Sequence, residues 1–394
     1  MTLWIIEPQD PLIVRDGRPF HATPGARARS LPFPFPSTTA GGVRTRAGQD
    51  ENGIFDIENI EDVKKICVRG PLLVEQNDAQ EWQFLVPAPA DALVFDDKIE
   101  EGQIERKWLR PLTLPGGADF DKPDNFTPHI VGLPKPDNRK PSQNAPEFWY
   151  WDVFESWLLD PAGQTAPLKP AQLGHNGPQP DRRVHVGINP ATFTGIDGAL
   201  FATSGLTFWQ RPEEDSLTAA RKLGLAVDVK GNDSSELEIA IGFAPLGGER
   251  RLMNWQQTKQ SLPTKPNELV QKIKENDGYC RLILLTPTYF KAGWQPDFGA
   301  DVKLLAAAVA NPVVVSGWDF AKHGPKATKR LAPAGSVYFV KVKGDVTQWV
   351  KDRWLQPLSD DDEMSKVGFG LTAVGIWDGT APTMKIDAKE KNNG

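Results

Sequence analysis

Two stretches near the beginning of the chain predict its first strand, turn and helix. Residues 4–20 read WIIEPQDPLIVRDGRPF, an apolar strand that its prolines end, and residues 33–46 read FPFPSTTAGGVRTR. The second stretch predicts the start of a helix, with Ser37 or Thr38 as its cap. Such a strand-to-helix corner suits an anionic ligand, because helix N-termini attract negative charge. The arginines expected around it are Arg15, Arg18, Arg44 and Arg46.

The length and the charge of the chain limit its class. With 394 residues it is long enough for two domains. Its net charge of −6 argues against a general DNA-coating protein, since such proteins are basic overall. The first 50 residues differ, because six arginines stand against four acidic residues and give this segment a local charge of +2. Nucleic acid held in a local groove is therefore compatible with the acidic chain.

The two cysteines, Cys67 and Cys280, both lie in apolar, strand-like contexts. Free thiols are favoured over a disulfide, which indicates a reducing compartment. No basic-then-apolar signal region opens the sequence, and no window reaches 18 apolar residues. We therefore expect a soluble, cytoplasmic protein that does not bind a membrane.

Apolar periodicity divides the sequence into strands and helices. Strands are predicted at residues 3–6, 66–74, 82–86, 182–188, 199–202, 206–209, 223–229, 237–243, 281–285, 313–318, 335–342 and 372–377. Helices are predicted at residues 58–65, 147–159, 267–275, 302–310 and 345–354. This interleaving predicts an α+β protein built from ferredoxin-like units. Residues 111–180 are rich in proline and are expected to form a long irregular insertion around the helix at 147–159.

The N-terminal corner has two interpretations. Arg15, Asp16 and Arg18 would form a salt-bridged turn if Gly17 supplied a positive φ. The helix start that follows instead favours a phosphate ligand. Both interpretations remain open from the sequence, and Asp16 is expected to build the turn and not to act as a catalyst.

A glycine loop near the C-terminus has the form of a nucleotide-binding motif without its context. Residues 368–373 read GFGLTA, which fits the dinucleotide pattern G-x-G-x-x-A. That motif must follow a strand and open a helix, whereas this one follows an acidic segment and opens a strand. The nicotinamide interpretation therefore fails. A loop at which Gly368, Phe369 and Gly370 let a backbone approach closely remains, with a plain turn as its alternative.

Three other groups of basic residues could hold RNA or face water. Arg182 and Arg183, near His185, open a predicted strand and are expected on opposite faces of it. Arg250 and Arg251 follow a glycine turn, where Arg251 could equally pair with Glu249. The third group is a basic loop with Lys322, His323, Lys326, Lys329 and Arg330.

No catalytic or metal-binding constellation is visible in the sequence. The five histidines are scattered, and no Cys-x-x-Cys, His-Glu-x-x-His, Gly-x-Ser-x-Gly or Walker motif occurs. We therefore expect no cofactor and no metal. The thirteen tryptophans are spread along the chain and are expected mainly in the core.

As a set, four motifs resemble the family of third subunits of the Cmr complex, RAMP-superfamily proteins of the type III-B CRISPR–Cas effector. The motifs are residues 7–20 (EPQDPLIVRDGRPF), 36–44 (PSTTAGGVR), 247–251 (GGERR) and 368–370 (GFG). Residues 188–201 are also similar to a RAMP hairpin with an Ile-Asp-Arg and a Thr-Gly turn. Here Asn189 and Pro190 replace the acidic and basic residues, which puts an RNA contact at that position in doubt.

The resemblance implies two packed RRM-like, ferredoxin-type RAMP domains, placed at residues 1–215 and 216–394. It also implies a non-catalytic, RNA-binding subunit that holds the 5′ tag of the crRNA in antiviral defence. Its implied partners are the large polymerase-palm subunit, the backbone RAMP subunits and, indirectly, target RNA. A thumb-like hairpin is implied as well, and either residues 111–146 or residues 182–209 could supply it. The residues assigned to RNA are Arg15, Gly17, Arg18, Ser37, Thr38, Arg44, Arg46, Arg182, Arg183, Arg250, Arg251, Gly368, Phe369 and Gly370.

Two other classes of function are compatible with parts of the sequence. A crRNA-processing endoribonuclease of the same superfamily would need a histidine or tyrosine base beside bound RNA. A carbohydrate-binding protein would need exposed tryptophan platforms. Because no secretion signal is recognised in the sequence, a carbohydrate-binding function is favoured even less.

Overall fold

The computed structural model describes residues 1–16, 30–50, 52–116, 129–210, 220–231, 239–319 and 324–385. Within these ranges the helices are α1 (Pro36–Ala47), α2 (Ile60–Lys64), α3 (Trp151–Leu159), α4 (Pro170–Leu173), α5 (Leu269–Glu275), α6 (Val346–Arg353) and α7 (Asp362–Lys366). The first strands are β1 (Thr2–Pro8), β2 (Cys67–Gln76), β3 (Trp82–Pro87), β4 (Ala92–Asp96), β5 (Ile104–Trp108), β6 (Arg110–Leu112), β7 (Ile130–Gly132), β8 (Phe148–Tyr150), β9 (Gly174–His175), β10 (Gln179–Ile188), β11 (Gly195–Thr207) and β12 (Trp209–Gln210). The remaining strands are β13 (Arg221–Lys230), β14 (Gly242–Pro245), β15 (Leu252–Thr258), β16 (Tyr279–Leu284), β17 (Val302–Ala308), β18 (Val313–Val315), β19 (Trp318–Asp319), β20 (Gly324–Pro325), β21 (Lys329–Leu331), β22 (Val337–Val342) and β23 (Thr372–Ile376). Sheets with few helices confirm the predicted α+β class.

Nine of the described strands form one large sheet. Its order is β14-β15-β1-β13-β2-β3-β8-β9, and β12 adds to β13. β1 lies between β15 and β13 and is antiparallel to both. Trp4 and Ile6 enter one hydrophobic core and Leu3 and Ile5 the other, because successive side chains of a strand point to opposite faces. The centre of this sheet is therefore buried on both sides.

A second sheet has four antiparallel strands in the order β17-β22-β16-β23. The helix α6 connects β22 to β23 and buries Val346, Trp349 and Val350, as its periodicity predicts. Asp345 caps α6, since its carboxylate accepts hydrogen bonds from the N–H groups of Thr347 (2.8 Å) and Gln348 (3.3 Å). The predicted helix and its buried face are thus confirmed.

The strand order relates both sheets to the ferredoxin-like prediction. In β15-β1-β13-β2 the last strand in the chain lies beside the first, followed by the third and then the second. The order β23-β16-β22-β17 repeats this arrangement, which is that of a ferredoxin-like unit. Residues 285–301, however, contain no helix between β16 and β17, where such a unit would have one. Two complete ferredoxin-like domains therefore stay a prediction.

The two sheets pack against each other through one continuous core. Leu3 and Ile5 of the large sheet belong to the same hydrophobic cluster as Leu282 and Phe339 of the second sheet. Helix α3 contributes Phe154, Trp157 and Leu158 to this cluster, all of them fully buried. Burial on this scale makes the described chain one packed body.

Strand pairing crosses the predicted domain boundary, and the two domains at residues 1–215 and 216–394 stay a prediction. The boundary at residue 215 would separate β1 from β13, which is its hydrogen-bonded neighbour. β14 and β15 also belong to the first sheet, so the first sheet continues to Thr258 and the second begins after α5. Spacing alone could not show that β13 to β15 return to β1.

Two predicted helices differ in the structure. Residues 302–310 were predicted as a helix because they are rich in alanine, but Val302–Ala308 is the strand β17, paired along β22. The helix predicted at 147–159 begins only at Trp151, because Phe148–Tyr150 pairs with β3 as β8. The strand predicted at 237–243 lies partly outside the described residues.

Both cysteines are free thiols, as predicted, with Cys280 buried and Cys67 half-buried. Burial raises the pKa of the Cys280 thiol. No helix among the described residues is long and apolar enough to cross a membrane.

Candidate RNA interface

Helix α1 begins without a side-chain cap. Its N-cap is Phe35, in an extended conformation, and Pro36 is the first helical residue. The prediction that Ser37 or Thr38 caps the helix is therefore wrong, because both residues already lie in its first turn. The first-turn N–H groups have no side-chain acceptor, and Ser37 is exposed. Pro36 has no N–H and the Thr38 N–H donates to the Phe35 carbonyl (2.9 Å), so the Ser37 N–H is the first-turn donor left for an anion among the described residues.

This helix start opens on a cleft between the two sheets. The cleft has a volume of about 680 Å³, and residues 31–36 form one of its walls. Loop residues 285–287, 312–314 and 333–334 of the second half of the chain form another wall. Three phenylalanine rings lie along it, and those of Phe33 and Phe148 are 5.2 Å apart. The cleft therefore combines aromatic surface with the positive end of a helix.

Arg15 lies in an ion-pair network at the glycine turn. Its Nη2 is 2.9 Å from Oε1 of Glu249, whose Oε2 is 2.9 Å from Nη2 of Arg251. The glycine turn is bonded to the segment that precedes Arg15, since the Gly248 N–H donates to the Ile13 carbonyl (2.8 Å). The sequence alternative in which Arg251 pairs with Glu249 is confirmed. Gly17 and Arg18 lie outside the described residues.

Arg250 differs from these two arginines. It is exposed, has a positive φ of 50° and forms no ion pair with any residue that the structure describes. The structure therefore brings Arg15 and Arg251 together around the Glu249 carboxylate, while Arg250 is exposed to water beside them. Because 234 residues separate Arg15 from Glu249, the sequence pattern did not reveal this grouping.

Arg44 and Arg46 bind backbone of their own chain. Arg44 donates to the carbonyls of Lys64 (2.8 Å) and Ile66 (3.0 Å). Arg46 donates to the carbonyl of Ala240, and its guanidinium lies 5.4 Å from the centre of the Trp255 ring. Burial lowers the pKa of both side chains. Neither residue lines the cleft, so the geometry assigns both to holding α1 in place.

The glycine loop reaches the start of α1 but is buried. The rings of Phe369 and Phe35 are 6.3 Å apart, so the two regions lie close together. Gly368 has a φ of 99°, and a Cβ there would clash with the carbonyl oxygen of Gly70. Phe369 and Gly370 are also buried. The backbone that approaches Gly368 is therefore the chain's own, at Gly70, and the loop packs against the start of α1 through Phe369 and Phe35.

Strands β10 and β11 form an exposed hairpin. Arg183 and His185 share one face and Arg182 lies on the other, as predicted. Nε of Arg183 donates to Asp181 (2.9 Å), whereas Arg182 has no ion pair or hydrogen-bonded side-chain partner among the described residues. The apolar side chains along it are unexpectedly exposed, and Phe193 at the tip is 84 % exposed. This exposure is a candidate contact surface that the sequence did not reveal.

The structure also shows a buried polar cluster that the sequence missed. Glu75 is fully buried and accepts hydrogen bonds from the Tyr150 hydroxyl (3.1 Å) and from Arg221 (3.0 Å). Nε2 of His175 is 3.1 Å from its second oxygen, while Nδ1 accepts a hydrogen bond from the Gly177 N–H (3.0 Å). Burial acts to raise the pKa of Glu75, but His175 and Arg221 hold it below its ordinary value. The cluster therefore ties β2, β8, β9 and β13 together through Glu75, Tyr150, His175 and Arg221.

Other chemistry expected of alternative functions has little support in the described residues. No group of three or more His, Cys, Asp or Glu side chains there could hold a metal ion. Eight of the thirteen tryptophans are buried, which removes most of the platforms that a carbohydrate site would use.

Comparison with a family model decides the family. The model of the CRISPR-associated protein family Cas_Cmr3 matches residues 4–377, nearly the whole chain. The chain belongs to the Cas_Cmr3 family. It is thus a Cmr-family subunit and a component of a type III CRISPR effector. No curated protein matches the chain.

Solved structures with a similar course of the chain are distant in sequence. One is a chain of the Type III-B Cmr-beta bound to cognate target RNA and AMPPnP, with 14 % identity, 94 % of this chain and 98 % of that chain covered, and a TM-score of 0.48. A second, Type III-B Cmr-beta bound to cognate target RNA, has 13 % identity, 96 % and 98 % coverage and a TM-score of 0.44. A third, a Csm3-Csm4 subcomplex of the type III-A CRISPR-Cas interference complex, has 12 % identity, 88 % and 94 % coverage and a TM-score of 0.34.

Proposed function

We propose that this Cas_Cmr3-family protein is a non-catalytic, RNA-binding subunit of the type III-B effector in the cytoplasm. In this proposal it holds the 5′ tag of the crRNA in the cleft at the start of α1. It also joins the large polymerase-palm subunit to the backbone of RAMP subunits, in antiviral RNA-guided defence. Membership of the family supports the setting, and the cleft supports the RNA contact.

The observation that carries the proposal is the uncapped N-terminus of α1 at the mouth of an aromatic cleft. A phosphate placed there would accept a hydrogen bond from the Ser37 N–H and would lie at the positive end of the helix dipole. Bases of an unpaired strand would stack on Phe33 or Phe35, whose π faces accept any base. A single-stranded tag matches both features, whereas a duplex would not enter a cleft of this size.

Cations at the rim extend this site. Arg15 lies next to Asp16, which lines the cleft, and its partner Glu249 also holds Arg251. A phosphate would replace Glu249 as the partner of one of these arginines at little cost, because all three side chains are partly exposed. Arg250 is already turned to water and completes the basic rim.

The hairpin β10–β11 is the better candidate for a thumb. The described part of the proline-rich insertion packs on its own chain: the Thr113 N–H donates to the Pro382 carbonyl (3.0 Å), and that of Ser142 to Val94 (2.9 Å). The hairpin instead exposes both of its faces near the tip. We therefore assign the thumb-like role to residues 179–207.

A matched pair of variants at Ser37 tests the RNA site. Ser37→Asp adds a negative charge in the first turn of α1, which favours the helix itself but repels phosphate. Ser37→Ala removes the hydroxyl without adding charge. Fluorescence anisotropy with crRNA that carries the 5′ tag measures the affinity. We expect Ser37→Asp to weaken binding about tenfold, which corresponds to about 1.4 kcal/mol. Ser37→Ala should bind like the wild type. Equal affinity of both variants and the wild type would remove the cleft from the proposal.

A further inference from the structure

A second cavity lies at the end of β17, separate from the candidate RNA cleft. Its volume is about 500 Å³. Apolar side chains form most of its lining, among them Ile130, Val131, Val309 and Leu331. Pro312 and Pro333 border both this cavity and the cleft beside α1, so the two spaces are neighbours.

The connection between β16 and β17 borders the cavity through Gly293 and Trp294. Where a ferredoxin-like unit would place a helix between β16 and β17, residues 285–301 form an irregular segment. Phe290 and Phe298 of this segment pack edge-on against the ring of Tyr338. The Tyr338 hydroxyl donates to the Trp294 carbonyl (2.8 Å), which fixes the backbone at one wall of the cavity. The Trp294 side chain itself is 36 % exposed.

An arginine that has no acidic partner among the described residues lies at the rim of this cavity. Arg330 of β21 lines it, is exposed and forms no ion pair or side-chain hydrogen bond with any described residue. Its neighbour Lys329, in contrast, is paired with Asp361. The exposed Lys326 precedes it on the same connection and also has no acidic partner among the described residues. An occupant that brings a carboxylate would therefore complement the rim.

We propose that this cavity is the docking site of a partner protein segment that inserts a large apolar side chain and places an acidic residue against Arg330. The lining favours protein over RNA. A nucleobase enclosed by aliphatic side chains would leave its polar edge without hydrogen-bond partners, which is costly, whereas a leucine, methionine or phenylalanine would not. Burial of one such side chain in a preformed pocket is the pattern of an interface hot spot. The inference rests on membership of an effector complex but not on RNA binding at α1.

Site-specific photo-crosslinking in the effector complex, reconstituted from the host's own subunits and crRNA, identifies the occupant. With p-benzoylphenylalanine in place of Trp294, we expect a crosslink to a partner-subunit peptide that has a large apolar residue within a few positions of an aspartate or glutamate. A crosslink to RNA, or none to another subunit, would overturn the proposal.

A charge reversal supplies an independent readout. Arg330→Glu should weaken association with the crosslinked subunit at least tenfold, and replacing that subunit's acidic residue by arginine should restore it. Lys303→Glu, an exposed cation on β17 that does not line the cavity, is the matched control and should associate normally. Normal association of Arg330→Glu would contradict the docking site. Anisotropy of the isolated variant with tagged crRNA should stay unchanged, which separates failure here from failure of the proposed RNA site.

Discussion

Arg281 of β16 and Asp91, which follows β3, form an ion pair in which both side chains are fully buried. The second guanidinium nitrogen of Arg281 donates to the Trp157 carbonyl (2.7 Å) and its Nε to the Ile376 carbonyl (2.9 Å). Asp91 also accepts a hydrogen bond from the Trp157 indole (3.1 Å). The pair thus connects the two sheets through α3, 190 residues apart in the chain.

The first prediction concerns the loss of one member of this pair. Arg281→Met leaves Asp91 charged and buried without its partner, so we expect a loss of about 3–5 kcal/mol in the free energy of unfolding. Urea denaturation measures this change. Lys64→Met, which removes the exposed pair with Glu61, is the control and should change stability by less than about 1 kcal/mol. Similar midpoints for the two variants would show that the buried pair does not join the sheets.

The second prediction concerns acid stability. The pKa of Glu75 lies below its ordinary value of 4.5, so its contribution to stability is complete above that value and is lost as the pH falls through the lower folded-state pKa. Glu75→Gln should therefore lose stability near pH 7 and show a flatter decline below pH 4.5. Urea midpoints across this range measure the difference. Parallel curves for variant and wild type would be inconsistent with the cluster described here.

The third prediction concerns the glycine loop. In Gly368→Ala the new Cβ meets the carbonyl of Gly70 at a positive φ, so we expect at least about 2 kcal/mol of destabilisation. Gly41→Ala is the matched control, because Gly41 lies within α1 with nothing within 4 Å of the added atom. That variant should gain about 0.5–1 kcal/mol. Thermal denaturation of both proteins checks the pair, and an unchanged Gly368→Ala protein would mean that the loop is free.

The fourth prediction separates arginines that contact RNA from arginines that hold the fold. Arg182→Ala should leave stability unchanged but lower the slope of log affinity against log salt by about 0.7, the value for one lost phosphate contact on a single strand. Arg46→Met should lower the stability and leave the salt slope unchanged, because Arg46 donates to the Ala240 carbonyl and lies over the Trp255 ring. Salt titrations of tagged crRNA binding, with urea midpoints, measure both effects. An unchanged salt slope for Arg182→Ala would remove the hairpin from the RNA surface.

Much of the secondary structure could be predicted from local pattern. The apolar runs of β1 and β2 match strands that are buried on both faces, and the apolar period of α6 matches its buried face. The helix prediction at residues 302–310 was wrong because the alanines there favour a helix in isolation, whereas pairing with β22 decides the structure of β17 in the fold. The order of strands was beyond local pattern, since β13 and β15 join β1 from more than 200 residues away.

The candidate site could be predicted only in outline. Both the start of α1 and the glycine loop were assigned to RNA, and the two regions lie close together at Phe35 and Phe369. The orientation of Arg44 and Arg46 was not, because their carbonyl partners at Lys64 and Ala240 are set by packing and not by spacing. Charge alone does not show whether an arginine faces a ligand or its own backbone.

Crosslinking of the tag itself tests the central claim most directly. A crRNA with 4-thiouridine in its 5′ tag is bound to the protein and irradiated, and the crosslinked peptides are identified by mass spectrometry. The account predicts crosslinks within residues 31–37, at the wall of the cleft that contains Phe33 and Phe35. These crosslinks should be lost when unlabelled tagged crRNA competes and should persist when untagged RNA competes. Crosslinks confined to other surfaces, with none in residues 31–37, would contradict it.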